Sequence, residues 1–173
     1  MATPAMLSYL VKAKAAAAAA GHKFPGAAAA ESAIECSWGQ SQSAVKYNNL
    51  IGLTKPSWYD GKTFLMYTEE FLKEGQAIPV SWIDPTFLRF STENGVQGRR
   101  YSRMAEWCAF DDWTHCFLTM LQVFQHDAEY SKVGIFTKDA YWYILQESAI
   151  WADGPSRGTM VLETYKAHLD ILG

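Results

Sequence analysis

Apolar positions at helical spacing open the chain. Leu7, Leu10 and Val11 recur between Pro4 and Ala20, and the positions between them are largely alanine, the residue with the highest helix propensity. Gly21 is a natural stop, and Pro25 suits the first turn of a second helix running to about Cys36. That second segment, "GAAAAESAIE", has the composition of a buried helix whose small side chains let neighbours approach closely. Residues 37–61 show no period and carry turn signals such as "YDG". "TFLMYTEEF" (63–71) and "AIPVSWI" (77–83) are rich in β-branched and aromatic residues, which predicts a β-hairpin lobe at about 60–92, followed by a loop at "STENGVQG". From Met104 to His126 the spacing of Trp107, Phe110, Trp113, Phe117, Met120, Leu121 and Phe124 predicts one long core helix with Asp111 and Asp112 on its polar edge. Further helices are expected over "KDAYWYILQES" (138–148) and "RGTMVLETYKAHLDIL" (157–172). The expected class is mainly α (α+β), a single domain spanning 1–173 of helices with a small β lobe.

Composition narrows the function classes. The chain has 173 residues, 49% hydrophobic and 19% charged, as in an ordinary soluble globular protein with one core. A net charge of −3, without any cluster of basic residues among aromatics, argues against a nucleic-acid partner. The Ala run is too weakly hydrophobic and too short to span a membrane, so no stable membrane insertion is expected. A basic region followed by a long apolar stretch is missing from the start, so no Sec signal peptide is read and synthesis in the cytoplasm is expected. Cys36, Cys108 and Cys116 form no CxxC pair and no metal-ligand spacing with histidine; they fit free thiols, and neither metal nor cofactor is expected. His22, His115, His126 and His168 form no cluster. Seven Trp and nine Tyr are enough both to fill a core and to line a cleft that stacks on sugar rings.

One stretch poses a chemical question. In "ESAIECSWGQ" the carboxylates of Glu31 and Glu35 stand four residues apart on one helical face, where like charges repel by roughly 0.2–0.5 kcal/mol. With "NNLIGL" after it, "AIECSWGQS" resembles glycoside hydrolase family 73, the glucosaminidases of bacterial cell-wall turnover. Their pattern is Ala-Leu-Glu-Ser-Gly-Trp-Gly-Lys/Gln-Ser followed by Asn-Asn-Leu-Phe-Gly-Ile. Thr68-Glu69-Glu70-Phe71 is similar to the family's Thr-x-Glu-Tyr, "RRYSRMAEW" to its Arg-x-Tyr segment, and "WADGP" (151–155) to its Tyr-Ala-Thr-Asp-Pro. The resemblance runs from about Ala27 to the C-terminus. Cys36-Ser37 replaces Ser-Gly, Glu31 stands where Gln is usual, and Trp151 replaces a Tyr.

The resemblance implies a lysozyme-like helical fold and an endo-β-N-acetylglucosaminidase acting on the peptidoglycan glycan strand; a monomer is expected. Glycoside hydrolysis needs an acid that protonates the leaving oxygen and a second group that activates water. Glu35 takes the first role. Glu70 takes the second, with Glu69 as the fallback, unless the substrate's acetamido group serves instead. On a strand the two neighbours point to opposite faces, so only one faces the substrate. Trp38, Asn49, Tyr67 and Trp151 are the candidate substrate-binding residues, Asn48 and Asn49 having an architectural reading as well. Glu31 is the candidate tuning group, its charge raising the pKa of Glu35 from one helical turn away. A muramidase, a lytic transglycosylase and a glycan-binding module without catalysis are the alternatives. Action on a wall without a signal peptide is expected to depend on release or delivery, as with a phage endolysin or a secreted effector.

Overall fold

The computed structural model describes residues 2–93, 95–126 and 155–173, with side chains from 158 onward in the last stretch. These residues form two units: a helical one from segments 1–52 and 109–173, and a β one from Leu53–Cys108.

In the helical unit, α1 (Pro4–Ala19) begins with Pro4 in its first turn and with Thr3 as N-cap, whose side chain accepts from the Met6 N–H. It ends where Gly21 turns left-handed at φ 89, the His22 N–H reaching Ala17 O and the Gly21 N–H reaching Ala18 O, the double bond pattern of a Schellman cap. The second helix, α2 (Pro25–Glu35), is buried from Gly26 to Ala33 and packs on α1 and on both C-terminal helices, α5 (Pro155–Ala167) and α6 (Leu169–Leu172). Its side chains explain the burial. Ala27, Ala28, Ala29, Ala30 and Ala33 are fully enclosed, and a Cβ on Gly26 would collide with the Leu172 carbonyl. Larger residues would hold the neighbouring helices apart. Lys14 clamps the chain end by donating to Ile171 O and Gly173 O.

Three helical readings change, the first being that the helix expected over 157–172 is divided at His168 into α5 and α6. Within the segment read as irregular, α3 (Gln42–Tyr47) forms, capped by Ser41, whose hydroxyl accepts from the Ala44 N–H. The long helix predicted from Met104 begins only at Trp113, as α4 (Trp113–His126). Asp112 is its N-cap, Oδ1 accepting from the His115 N–H at 2.8 Å, so Asp112 starts the helix rather than edging it. Phe117, Met120 and Phe124 of α4 then enter the core beside α1. The helix expected over 138–148 lies outside the described residues.

The β unit is a three-stranded antiparallel sheet in the order β1 (Thr63–Lys73), β3 (Val96–Cys108), β2 (Ile83–Glu93). It therefore extends past the hairpin predicted at 60–92. The β3 strand pairs with β1 from Thr63↔Cys108 to Lys73↔Gly98, which claims Met104–Cys108 for the sheet. Glu93 and Val96 are paired across β2 and β3, so strand runs through most of the segment read as a loop. In 77–83 only Ile83 is strand; Pro79 starts a turn closed by the Trp82 N–H on its carbonyl. The α+β class holds.

Candidate active site

Glu35 is the last residue of α2 and is half-buried; Glu31, one turn earlier, is only 3% exposed. Beyond Glu35 the chain takes three left-handed residues in succession, Ser37 (φ 52), Trp38 (φ 59) and Gly39 (φ 79). The turn is held from several sides. The Trp38 N–H reaches Ala33 O at 2.7 Å, the Gln40 and Ser41 N–H groups reach Cys36 O, and the Gly39 N–H donates to Cys36 Sγ at 3.1 Å. Cys36 Sγ donates in turn to Ser32 O, and the Tyr9 hydroxyl donates to Ser32 Oγ at 2.8 Å while lying 3.1 Å from the same sulfur. Burial pushes both the Cys36 thiol and the Tyr9 phenol above their ordinary ranges, so both keep their protons. This buried knot under the turn ties α1 to the end of α2. Gly39 is required there twice, for its positive φ and because a Cβ would sit 2.9 Å from the Tyr9 ring.

Ser37 occupies the left-handed position after the cap, where glycine is usual and where the family pattern has Gly. A non-glycine residue there costs about 1 kcal/mol in strain, partly offset by the lower chain entropy of serine when unfolded. Ser37 is exposed, so its side chain packs against little. Ser37→Gly is therefore expected to raise stability by about 0.5–1 kcal/mol. A urea midpoint that stays or falls would show that the strain is absorbed elsewhere.

Trp38 is half-buried, edge-on to Tyr9 (6.5 Å between centroids) and to His168 (6.2 Å). It thus flanks Glu35 in sequence while leaning on the body of its unit. Asn48 is left-handed at φ 53, and its Nδ2 donates to Phe110 O and Asp111 O, pinning the end of α3 to the approach of α4. Asn49, a candidate for substrate binding, is 0% exposed. Its place is inside the unit, in line with the architectural reading.

In the sheet, alternation separates the two acids of β1. Glu70 shares a face with Arg103, whose Nη2 donates to Oε1 at 2.7 Å. Glu69 points the other way, to Arg89 (3.1 Å) and Arg100 (3.7 Å), and Arg100 also holds Glu93 at 2.7 Å. Tyr67 lies on the face of Glu69, about half exposed, its hydroxyl donating to Asp84. The structure therefore groups Tyr67 with Glu69 and not with Glu70. Trp151 lies outside the described residues. Among the described residues no group of three His, Cys, Asp or Glu side chains could hold a metal ion, and no helix is long and apolar enough to cross a membrane. All three cysteines are buried and none forms a disulfide.

The family model for glucosaminidases, described as mannosyl-glycoprotein endo-β-N-acetylglucosaminidase, matches residues 11–167. The chain belongs to the glucosaminidase family. It is a glycoside hydrolase, and the matched span holds every candidate residue, from Glu31 to Trp151. No curated protein sequence matches it. Among solved structures, the glucosaminidase is similar to the catalytic domain of the autolysin Auto from Listeria monocytogenes, with a TM-score of 0.69 and 14% identity over 99% of this chain and 89% of that one. A peptidoglycan hydrolase mutant from Sphingomonas sp. A1 follows at 0.65 and 19% identity, covering 94% of each chain. A C-terminally truncated glycoside hydrolase domain of FlgJ from Salmonella typhimurium gives 0.61 and 12%, covering 95% of this chain and 98% of that one. These likenesses share the fold described above.

The sequence reading missed the Tyr9–Ser32–Cys36 knot and Arg103. Gly39 after Trp38 was the one visible sign of the first, a glycine where the backbone turns left-handed. Arg103 lies within "RRYSRMAEW", but nothing in the sequence ties it to Glu70, 33 residues away across a strand pair.

Proposed function

We propose that this glucosaminidase hydrolyses a β-1,4 glycosidic bond of bacterial peptidoglycan, with Glu35 as the general acid. The observation that carries the reading is the placement of Glu35: a half-buried carboxyl at the end of a helix of enclosed alanines, fixed by the turn of Ser37–Gly39. Three features favour the protonated form needed for an acid. The C-terminal end of a helix disfavours negative charge, the last turn of α2 holds no basic residue, and buried Glu31 stands one turn away. The cell-wall substrate is supported by the fold neighbours named as peptidoglycan hydrolase and autolysin.

In the reaction Glu35 gives its proton to the leaving glycosidic oxygen as the C–O bond breaks and an oxocarbenium-like centre develops. Water then adds to the anomeric carbon. Its proton passes to Glu70, or the acetamido group of the sugar assists from within the substrate. The product is a new reducing end. Mass spectrometry of a peptidoglycan digest is expected to show N-acetylglucosamine at that end. An N-acetylmuramic acid end would make the enzyme a muramidase, a 1,6-anhydro end a transglycosylase, and no turnover a binding module.

Glu31, one turn before Glu35, is read as the group that tunes it. Removing its charge by Glu31→Gln is expected to move the alkaline limb of the activity profile, where the acid loses its proton, to lower pH. A limb that stays in place in the folded variant would leave Glu31 a structural residue.

A further inference from the structure

We propose that Arg103 is the positioning residue for Glu70, an inference that rests on reading Glu70 as the second carboxylate. Arg103 lies on β3, the central strand, opposite Thr68 of β1, and so shares the face of Glu70, two residues along. Its Nη2 holds Oε1 at 2.7 Å, while Oε2 accepts nothing among the described residues. One oxygen is thus anchored and the other is left for a water proton. The guanidinium is itself fixed, lying over the Trp82 ring at 5.1 Å, and Trp82 stands edge-on to buried Tyr101. Trp82, Arg103 and Glu70 form a stack that leaves the carboxylate few rotamers.

The contrast with Glu69 on the opposite face is instructive. Its partner Arg89 is 57% exposed, and Arg100 divides itself between Glu69 and Glu93. That is a solvated surface network, worth little in fixing any one carboxylate. Arg103 is 18% exposed, and its Nε is buried without an acceptor among the described residues. A pair kept only for stability would gain nothing by leaving that donor unmet. The burial instead holds in place the single Nη2 hydrogen bond on Glu70 Oε1.

The test measures release of new reducing ends from purified peptidoglycan by the full chain. Arg103→Ala is expected to lower kcat about 10–100-fold, with KM changed less than about twofold, as for a catalytic group displaced by an ångström. Millimolar guanidinium should restore part of the loss, and Arg103→Lys, which keeps the charge without the planar guanidinium, should fall between. In a Glu70→Gln background the Arg103→Ala change should have no further effect, because the two act as one unit. Equal losses in both backgrounds, or wild-type kcat in folded Arg103→Ala, would overturn the positioning role while leaving Glu70 in place. Wild-type turnover by Glu70→Gln alone would remove Glu70 from the mechanism, and the proposal with it. Should Arg103→Ala fail to fold, the same comparison of backgrounds with Arg103→Lys decides the matter.

Discussion

A Glu35→Gln protein is expected to fold as the wild type does and to release new sugar ends about 10²–10⁴-fold more slowly, the range for losing a general acid. Glutamine keeps the shape of the side chain, so the end of α2 and the left-handed turn after it are preserved. What it lacks is a proton acidic enough to transfer to a departing alkoxide. Stability should hold, and rise slightly on the alkaline side, because glutamine cannot take up the negative charge that a glutamate would acquire there at a helix C-terminus beside Glu31. The decisive combination is thermal unfolding with reducing-end release from purified walls. A variant that unfolds at the wild-type temperature and still cleaves at the wild-type rate would take Glu35 out of the chemistry.

The parts of the molecule legible in the sequence are those where one local rule dominates. An alanine-rich segment with Pro at its start and Gly at its stop reads as α1 and α2, and the structure supplies the Schellman cap that Gly21 suggested. Strand β1 reads from its β-branched and aromatic residues. Strand β3 does not, because its first half, "VQGRRYSR", carries the arginines that pair with Glu69, Glu70 and Glu93 instead of an apolar alternation. Its second half carries Trp107, and Phe110 and Trp113 beyond the strand continue a spacing of three that suits a helix equally well. Long-range pairing with β1 decided between the two periods. In the site, Glu35 and Trp38 were visible as a motif, whereas the left-handed backbone of Ser37 and Trp38 was not, since neither residue type signals it. The tertiary bonds from Tyr9 and Cys36 hold that strain in place.

Acidification is expected to weaken the helical unit through His22. The ring is 7% exposed, its Nε2 donates to Phe117 O at 2.9 Å, and it meets the Phe117 ring edge-on. A neutral imidazole meets these contacts, and burial disfavours the cation enough to push the pKa down to about 4, against an ordinary 6.5, with the hydrogen bond to Phe117 O opposing only in part. Because the folded pKa lies below the unfolded one, the unfolded chain binds the extra proton first. Stability is therefore full above about pH 6.5 and is lost as the pH falls toward 4, by roughly 3 kcal/mol at the limit. His22→Gln keeps a donor for Phe117 O and removes the titration. Urea unfolding followed by tryptophan fluorescence at pH 7, 5.5 and 4.5 should show a steeper fall for the wild type than for His22→Gln, so that the two curves converge or cross on the acid side. Parallel curves would mean that His22 takes up its proton without unfolding cost, and that some other group sets the acid limit of the fold.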